Sequence, residues 1–194
     1  AVSQEGQNLF LYKDYHALVI GISNYDHWPK LPYADDDARE VADKLKKLGY
    51  AVDLILDPAH KDLRDALNRL VYFTGKEENN AILVYYAGHG DLDRTYNDGW
   101  WIPADAKGGD PVTYLDNVIV QKAMRSMKAK HVLLISDSCY SGTLFGQARA
   151  MPRVIKDDYY LDLYNEKSRW GMTSGNKTPV ADSGTGGHSV FAYQ

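Results

Sequence analysis

Cys139 is the only cysteine in the 194-residue chain. It sits in Asp137-Ser138-Cys139-Tyr140-Ser141-Gly142, directly after the apolar run His131–Ser136. A second reactive group, His89, stands between glycines in Gly88-His89-Gly90, directly after the apolar run Ala81–Ala87. A thiol and an imidazole are the minimum parts of nucleophilic catalysis. The imidazole takes up and returns a proton near neutral pH. Flanking glycines let the backbone approach a substrate closely. The backbone N–H groups of Gly90 and Cys139 are candidates to face a developing oxyanion. Each residue also has a plainer reading. A lone cysteine at a strand end is a common small core residue, and a histidine between glycines is a common turn residue. The readings separate on whether the fold brings the two side by side.

Apolar runs alternate with helical patterns along the chain. Ala17–Ser23, Ala51–Leu56, Ala81–Ala87 and His131–Ser136 read as strands, with Trp170–Ser174 as a candidate fifth. Asp35–Leu48 carries apolar residues at Ala38, Val41, Ala42, Leu45 and Leu48, one face of a helix. Asp35 and Asp36 are expected to cap its start and Gly49 to end it. Asp62–Phe73 and Asp116–Met127 read as two more helices. Strands apolar on both faces belong inside a parallel sheet covered by helices. The expected fold is therefore α/β, a three-layer α/β/α sandwich with a mostly parallel central sheet. Ligands in such sheets sit beyond the carboxyl ends of the strands. That rule points to Ser23–Asp37, Gly88–Asp91 and Asp137–Gly142, so both reactive residues fall on one sheet edge.

Composition narrows the function class. Apolar residues make up 44% and charged residues 25%, ordinary for a globular domain. A net charge of −4 indicates no basic surface, so nucleic acid is not an expected partner. The longest apolar runs fall far short of the roughly 18 residues a membrane helix needs, so no membrane partner is expected either. One cysteine excludes an intrachain disulfide and a multi-thiolate zinc site. No signal-peptide pattern opens the chain. It begins at Ala1, so the compartment is left open, with the cytoplasm favoured. The 15 tyrosines either fill core and surface or line a peptide groove.

Two separated motifs carry a family resemblance. Tyr85-Tyr86-Ala87-Gly88-His89-Gly90 matches Y-x-[SA]-G-H-G, and Asp137–Gly142 resembles D-x-C-[HY]-S-G. Cys139 follows His89 by 50 residues, the caspase spacing. Leu31–Ala38, Trp101–Asp105 and Gly187–Phe191 resemble three further family elements. The chain resembles the caspase-like cysteine peptidases, most of all their metacaspase and prokaryotic orthocaspase branch, from about Tyr15 to Gln194. Residues 1–14 are then an N-terminal arm and 15–194 the peptidase domain.

The resemblance implies Cys139 as nucleophile, His89 as general acid/base, and Gly90 and Cys139 N–H groups as the oxyanion hole. No third side chain to orient the imidazole is evident. Asp37 and Asp137 match substrate-pocket positions, and paired carboxylates there bind a guanidinium or ammonium and reject an aspartate. The expected substrates are proteins or peptides with Arg or Lys before the scissile bond, Arg favoured for its planar fork. Asp37 as a mere helix start and Asp137 as a mere strand end is the plainer alternative. Ala87 stands where the branch often has serine, which removes one hydroxyl from the pocket wall. No cofactor is implied. Calcium is a weak candidate activator through Asp98 and Asp116, since Gly146 replaces an expected carboxylate and calcium needs six to eight oxygens.

The segment 143–169 corresponds to a processing loop. Arg149, Arg153, Lys156, Lys167 and Arg169 there are candidate self-cleavage sites. A C-terminal helix starting at Ser189 and a following strand are expected to be missing or supplied by a further fragment, and the domain is expected to be monomeric. Three rivals stand beside this reading: a catalytically silent caspase-fold scaffold, a peptidase with Asp specificity, and a nucleotide-binding domain using Gly184–Gly187. The last lacks a phosphate-loop motif after the first strand.

Overall fold

The structure is a computed structural model that describes residues 2–4, 7–9, 11–93, 95–96, 98–139, 144 and 164–174. Its centre is a sheet of five parallel strands. The strands are β3 (Asp14–Gly21), β4 (Ala51–Leu56), β5 (Asn80–Ala87), β9 (His131–Asp137) and β10 (Ser168–Thr173), in the spatial order β10-β9-β5-β3-β4. Before them, β1 (Val2–Gln4) and β2 (Gln7–Leu9) pair as an antiparallel hairpin in the expected arm. All eight residues of β5 are buried, as a central strand covered on both faces requires.

Helix α1 (Ala34–Lys47) covers one face of the sheet. Its Ala34, Ala38, Ala42 and Leu45 pack on Ala17, Val19, Leu83, Tyr85 and Ala87. Helices α2 (His60–Arg69) and α3 (Asn117–Ser126) cover the other. Leu63, Ala66, Leu67, Val120 and Met124 there meet Leu18, Ile20, Ile82, Val84, Val132 and Leu134. This is the expected three-layer sandwich. Each large apolar side chain fully buried in it contributes about 1.5–3 kcal/mol.

Several expectations shift in detail. Helix α1 begins at Ala34 behind Tyr33, with no side-chain cap at that position. Asp35 instead exchanges two hydrogen bonds with Ser23. Ser23 Oγ donates to its carboxylate at 2.6 Å and accepts its backbone N–H at 2.9 Å. Asp36 is exposed. Gly49 ends the helix at φ 90, a left-handed conformation that glycine adopts without strain. Helix α2 starts two residues early. Asp105 Oδ1 accepts the His60 N–H at 2.7 Å, so a distant carboxylate meets an unpaired donor of the first turn. Its far end widens into a π-helical turn, Leu70–Thr74.

A small antiparallel sheet of β6 (Gly90–Asp93), β7 (Asp98–Trp101) and β8 (Leu115–Asp116) follows β5 directly. Strand β10 starts at Ser168, so the end of the expected processing loop is sheet. Arg169 is no exposed cleavage site. Its guanidinium donates to the carbonyls of Met124, Met127, Lys130 and Ser168, tying β10 to the end of α3. Lys167 is exposed. Arg149, Arg153, Lys156, Gly146, the 182–187 loop and the helix expected at Ser189 lie outside the described residues. Among the described residues, no helix is long and apolar enough to cross a membrane.

Candidate active site

The order β10-β9-β5-β3-β4 contains a reversal. From β3 the chain moves outward to β4, then returns to β5 on the other flank of β3. A crevice opens at such a switch point, between the carboxyl ends of β3 and β5. The loop after β3 and the turn after β5 face each other across it.

His89 occupies that turn and is held from several sides. Its backbone N–H donates to Tyr25 Oη at 2.8 Å. Its carbonyl accepts from Tyr86 Oη at 2.7 Å and from the Ile102 N–H at 3.1 Å. Its ring lies against Tyr25 and Trp28, with centroids 4.8 and 5.5 Å away. Nε2 is 2.8 Å from the Pro29 carbonyl oxygen. A carbonyl only accepts, so this partner assigns the hydrogen to Nε2 and leaves Nδ1 with its lone pair. The third, orienting group that no side chain in the sequence suggests is thus a backbone carbonyl. Burial pushes the imidazole below its ordinary 6.5, and the Pro29 bond offsets part of this. His89 is therefore neutral near pH 7.

Two tyrosines and an aspartate hold the frame. Tyr86 is fully buried and stacks on Trp101, with centroids 4.1 Å apart and planes within 2°. Its hydroxyl also bonds with that of Tyr25. Tyr25 follows a loop fixed by Asp57, whose carboxylate accepts the N–H groups of Ser23 and Asn24 at 2.8 and 2.9 Å and Asn24 Nδ2 at 2.8 Å. Asp57 itself sits at φ 46, in the left-handed region. Burial alone would raise its carboxyl, but the bonds from Asn24 and Ser23 outweigh burial and hold it below the ordinary carboxylate range. Sequence patterns did not mark Tyr25, Pro29, Asp57 or the role of Tyr86. The only available signal was the rule that functional loops follow parallel strands.

Cys139 lies on the adjacent tip. Ala87 and Asp137 are register partners, and the Gly88 N–H donates to the Asp137 carbonyl at 3.3 Å. A Cβ added to Gly90 would lie 2.1 Å from the Cys139 carbonyl oxygen, so any side chain there is excluded. Gly90 and Cys139 are therefore backbone neighbours. Cys139 is partly buried, and Ser138 beside it is buried with its Oγ 3.0 Å from Ser136 Oγ.

Asp37, Ala87 and Asp137 meet at one corner of the same edge. Asp37 is 1% exposed in the first turn of α1. Leu83, Tyr85 and Ala87 of β5 and Leu133 and Ile135 of β9 all pack on the α1 side. Asp137 continues that alternation, so it shares the face. Both carboxylates act electrostatically on Tyr85: burial first, then Asp137 and Asp37, push its hydroxyl far above the ordinary range.

Asp98 and Asp116 do not join this corner. Asp98 is exposed on β7, and Asp116 caps α3, accepting the Val118 N–H at 2.6 Å. Among the described residues, no three His, Cys, Asp or Glu side chains cluster as a metal site would need.

A switch-point crevice carrying an imidazole beside a thiol-bearing strand tip is the arrangement of an α/β cysteine-peptidase domain. Residues 14–189 match the caspase domain of the C14 peptidases, and the chain belongs to that caspase-like cysteine peptidase family. Among curated proteins it is similar to the human mucosa-associated lymphoid tissue lymphoma translocation protein 1, 30% identical over 132 residues. It is 29% identical over 139 residues to the mouse homologue. Those alignments cover 66% and 70% of this chain but only 15% and 16% of the relatives. Among solved structures, protein GSU0716 from Geobacter sulfurreducens superposes with a TM-score of 0.55 at 25% identity, covering 66% of this chain and 52% of that one.

Proposed function

We propose that the domain hydrolyses peptide bonds after arginine or lysine, with Cys139 as nucleophile and His89 as acid and base. The observation that carries the specificity is the acidic corner, where buried Asp37 and half-buried Asp137 lie with the small Ala87 beside the Cys139 turn. A buried carboxylate is costly unless an opposite charge or hydrogen bonds meet it. A substrate cation adds that charge, and a substrate aspartate is repelled.

The reaction follows from the assigned tautomer. Nδ1 of neutral His89 takes the Cys139 thiol proton. The thiolate sulfur bonds to the scissile carbonyl carbon, and the carbonyl electron pair moves onto oxygen. The N–H groups of Gly90 and Cys139 are the donors for that oxyanion. Collapse re-forms the carbonyl and breaks the C–N bond, and the leaving amine takes the proton from Nδ1. Water then gives a proton to Nδ1 as it attacks the thioester. Collapse releases the carboxylic acid, and His89 returns the proton to Cys139. The Pro29 carbonyl, bonded to Nε2–H, holds the ring in one tautomer throughout.

Fluorogenic peptides differing only in Arg, Lys or Asp before the reporter test this directly. The wild type is expected to cleave the first two, and Cys139→Ala none. Cleavage of the Asp peptide alone overturns the specificity, and no cleavage of any peptide overturns the peptidase. Self-processing belongs to the same proposal, with exposed Lys167 and the basic residues at 149, 153 and 156 as its sites. Intact mass in both the wild type and Cys139→Ala would rule it out.

A further inference from the structure

One hydroxyl at the foot of the acidic corner has no partner. Tyr85 is 3% exposed, and its Oη is buried without a hydrogen bond among the described residues. Buried hydroxyls in native proteins are nearly always bonded, and the adjacent Tyr86 and the facing Tyr25 both are. Tyr85 lies on the sheet face of Ala87, two residues back from it, about 6.6 Å at the usual strand rise. Its β9 neighbour is Ile135, two residues before Asp137. Tyr85 shares its apolar cluster with Ala34, Ala38 and Ala87, on the α1 face of the sheet.

We infer that the Tyr85 hydroxyl is the floor of the cation pocket and accepts a hydrogen bond from the guanidinium of a substrate arginine held between Asp37 and Asp137. The inference rests on the basic-specificity reading and deepens it. Donor arithmetic supports it. A guanidinium has five N–H donors in a rigid plane, and two carboxylates engaged bidentately take four. The fifth needs an acceptor, and an unbonded phenolic oxygen is one. An ammonium has three donors, which the two carboxylates alone can satisfy. Tyr85 thus favours arginine over lysine as a specificity-determining residue.

Tyr85→Phe tests this with the Arg and Lys peptides and a melting curve. The expected result is a roughly tenfold lower kcat/KM on the Arg peptide, a smaller change on the Lys peptide, and a melting temperature equal to or above wild type. The last readout separates recognition from support. Removing a hydroxyl that nothing bonds in the free protein costs no stability, whereas a structural tyrosine would lose several degrees. An unchanged Arg-to-Lys ratio, or a lowered melting temperature, overturns the inference. Calorimetry with a blocked arginine peptide on Cys139→Ala and on Cys139→Ala/Tyr85→Phe reads the same contact without turnover. Binding about tenfold weaker in the double variant is expected, and equal binding overturns the inference. A wild type that cleaves neither basic peptide removes the specificity reading and this inference together. A wild type that cleaves both, with Tyr85→Phe indistinguishable from it, removes only the role of Tyr85.

Discussion

Two histidines sit at opposite ends of the same sheet, each packed among aromatic rings and each bonded to a backbone carbonyl. His131 opens β9 at the amino end. Its Nδ1 bonds to the Tyr12 hydroxyl, its Nε2 lies 3.2 Å from the Glu166 carbonyl, and Tyr12 and Tyr164 stand edge-on to its ring. Both ring nitrogens are engaged, and the imidazole ties the lead-in to β3 to the lead-in to β10. His89 follows the carboxyl end of β5. Its Nε2 is engaged by Pro29, and no described residue bonds Nδ1. Aromatic packing and a carbonyl partner are thus common to a tie and to a candidate catalyst. The difference is one nitrogen left open beside a thiol-bearing turn.

The sharpest way to break that comparison is to truncate both rings. His89→Ala is expected to lower kcat/KM by about 10²–10⁴, the range of a lost general acid/base. His131→Ala is expected to lower the melting temperature while folded protein keeps its kcat/KM. Equal loss of kcat/KM in both, at equal folded fraction, would erase the distinction. Gly90→Ala comes next, because its Cβ would overlap the Cys139 carbonyl oxygen and push apart the two turns. Misplacement by about 1 Å costs on the order of hundredfold, to be read as kcat in protein whose circular dichroism is unchanged. Tyr86→Phe keeps the stack on Trp101 and removes the hydroxyl that bonds the His89 carbonyl. A fall of about tenfold in kcat is expected, with about 1–2 kcal/mol lost in urea unfolding.

The pH dependence sharpens the same contrast. Burial depresses the His89 pKa below 6.5. The active form is the neutral ring, so the acid limb of kcat/KM should fall below pH 6.5. As pH drops through 6.5, the unfolded chain takes a proton that folded His89 refuses, and stability falls until the folded pKa is reached. An acid limb above 6.5 would contradict the buried, Pro29-bonded ring.

Much of this arrangement was legible in residue types. Continuous apolar runs marked β3, β5 and β9, and the rule for parallel sheets placed His89, Cys139, Asp37 and Asp137 on one edge. What could not be read were interactions made by backbone atoms or by residues distant in sequence. The Pro29 carbonyl has no side-chain signature. Asp57 looks like any aspartate after a strand until its left-handed φ and its bonds to Ser23 and Asn24 are seen. Arg169 reads as an exposed cation, yet four carbonyls surround its guanidinium. The β6–β8 sheet escaped because its strands are two to four residues long, too short for a period to declare itself.

The smallest expected effect tests the amino-end cluster alone. Tyr12→Phe keeps the ring contacts with Tyr15, His131 and Tyr164 and removes the hydroxyl bonded to His131 Nδ1. A neutral hydrogen bond of this kind contributes about 1 kcal/mol. Urea unfolding should show a loss of that size, with kcat/KM on the Arg peptide unchanged, because Tyr12 and the crevice lie at opposite ends of the sheet.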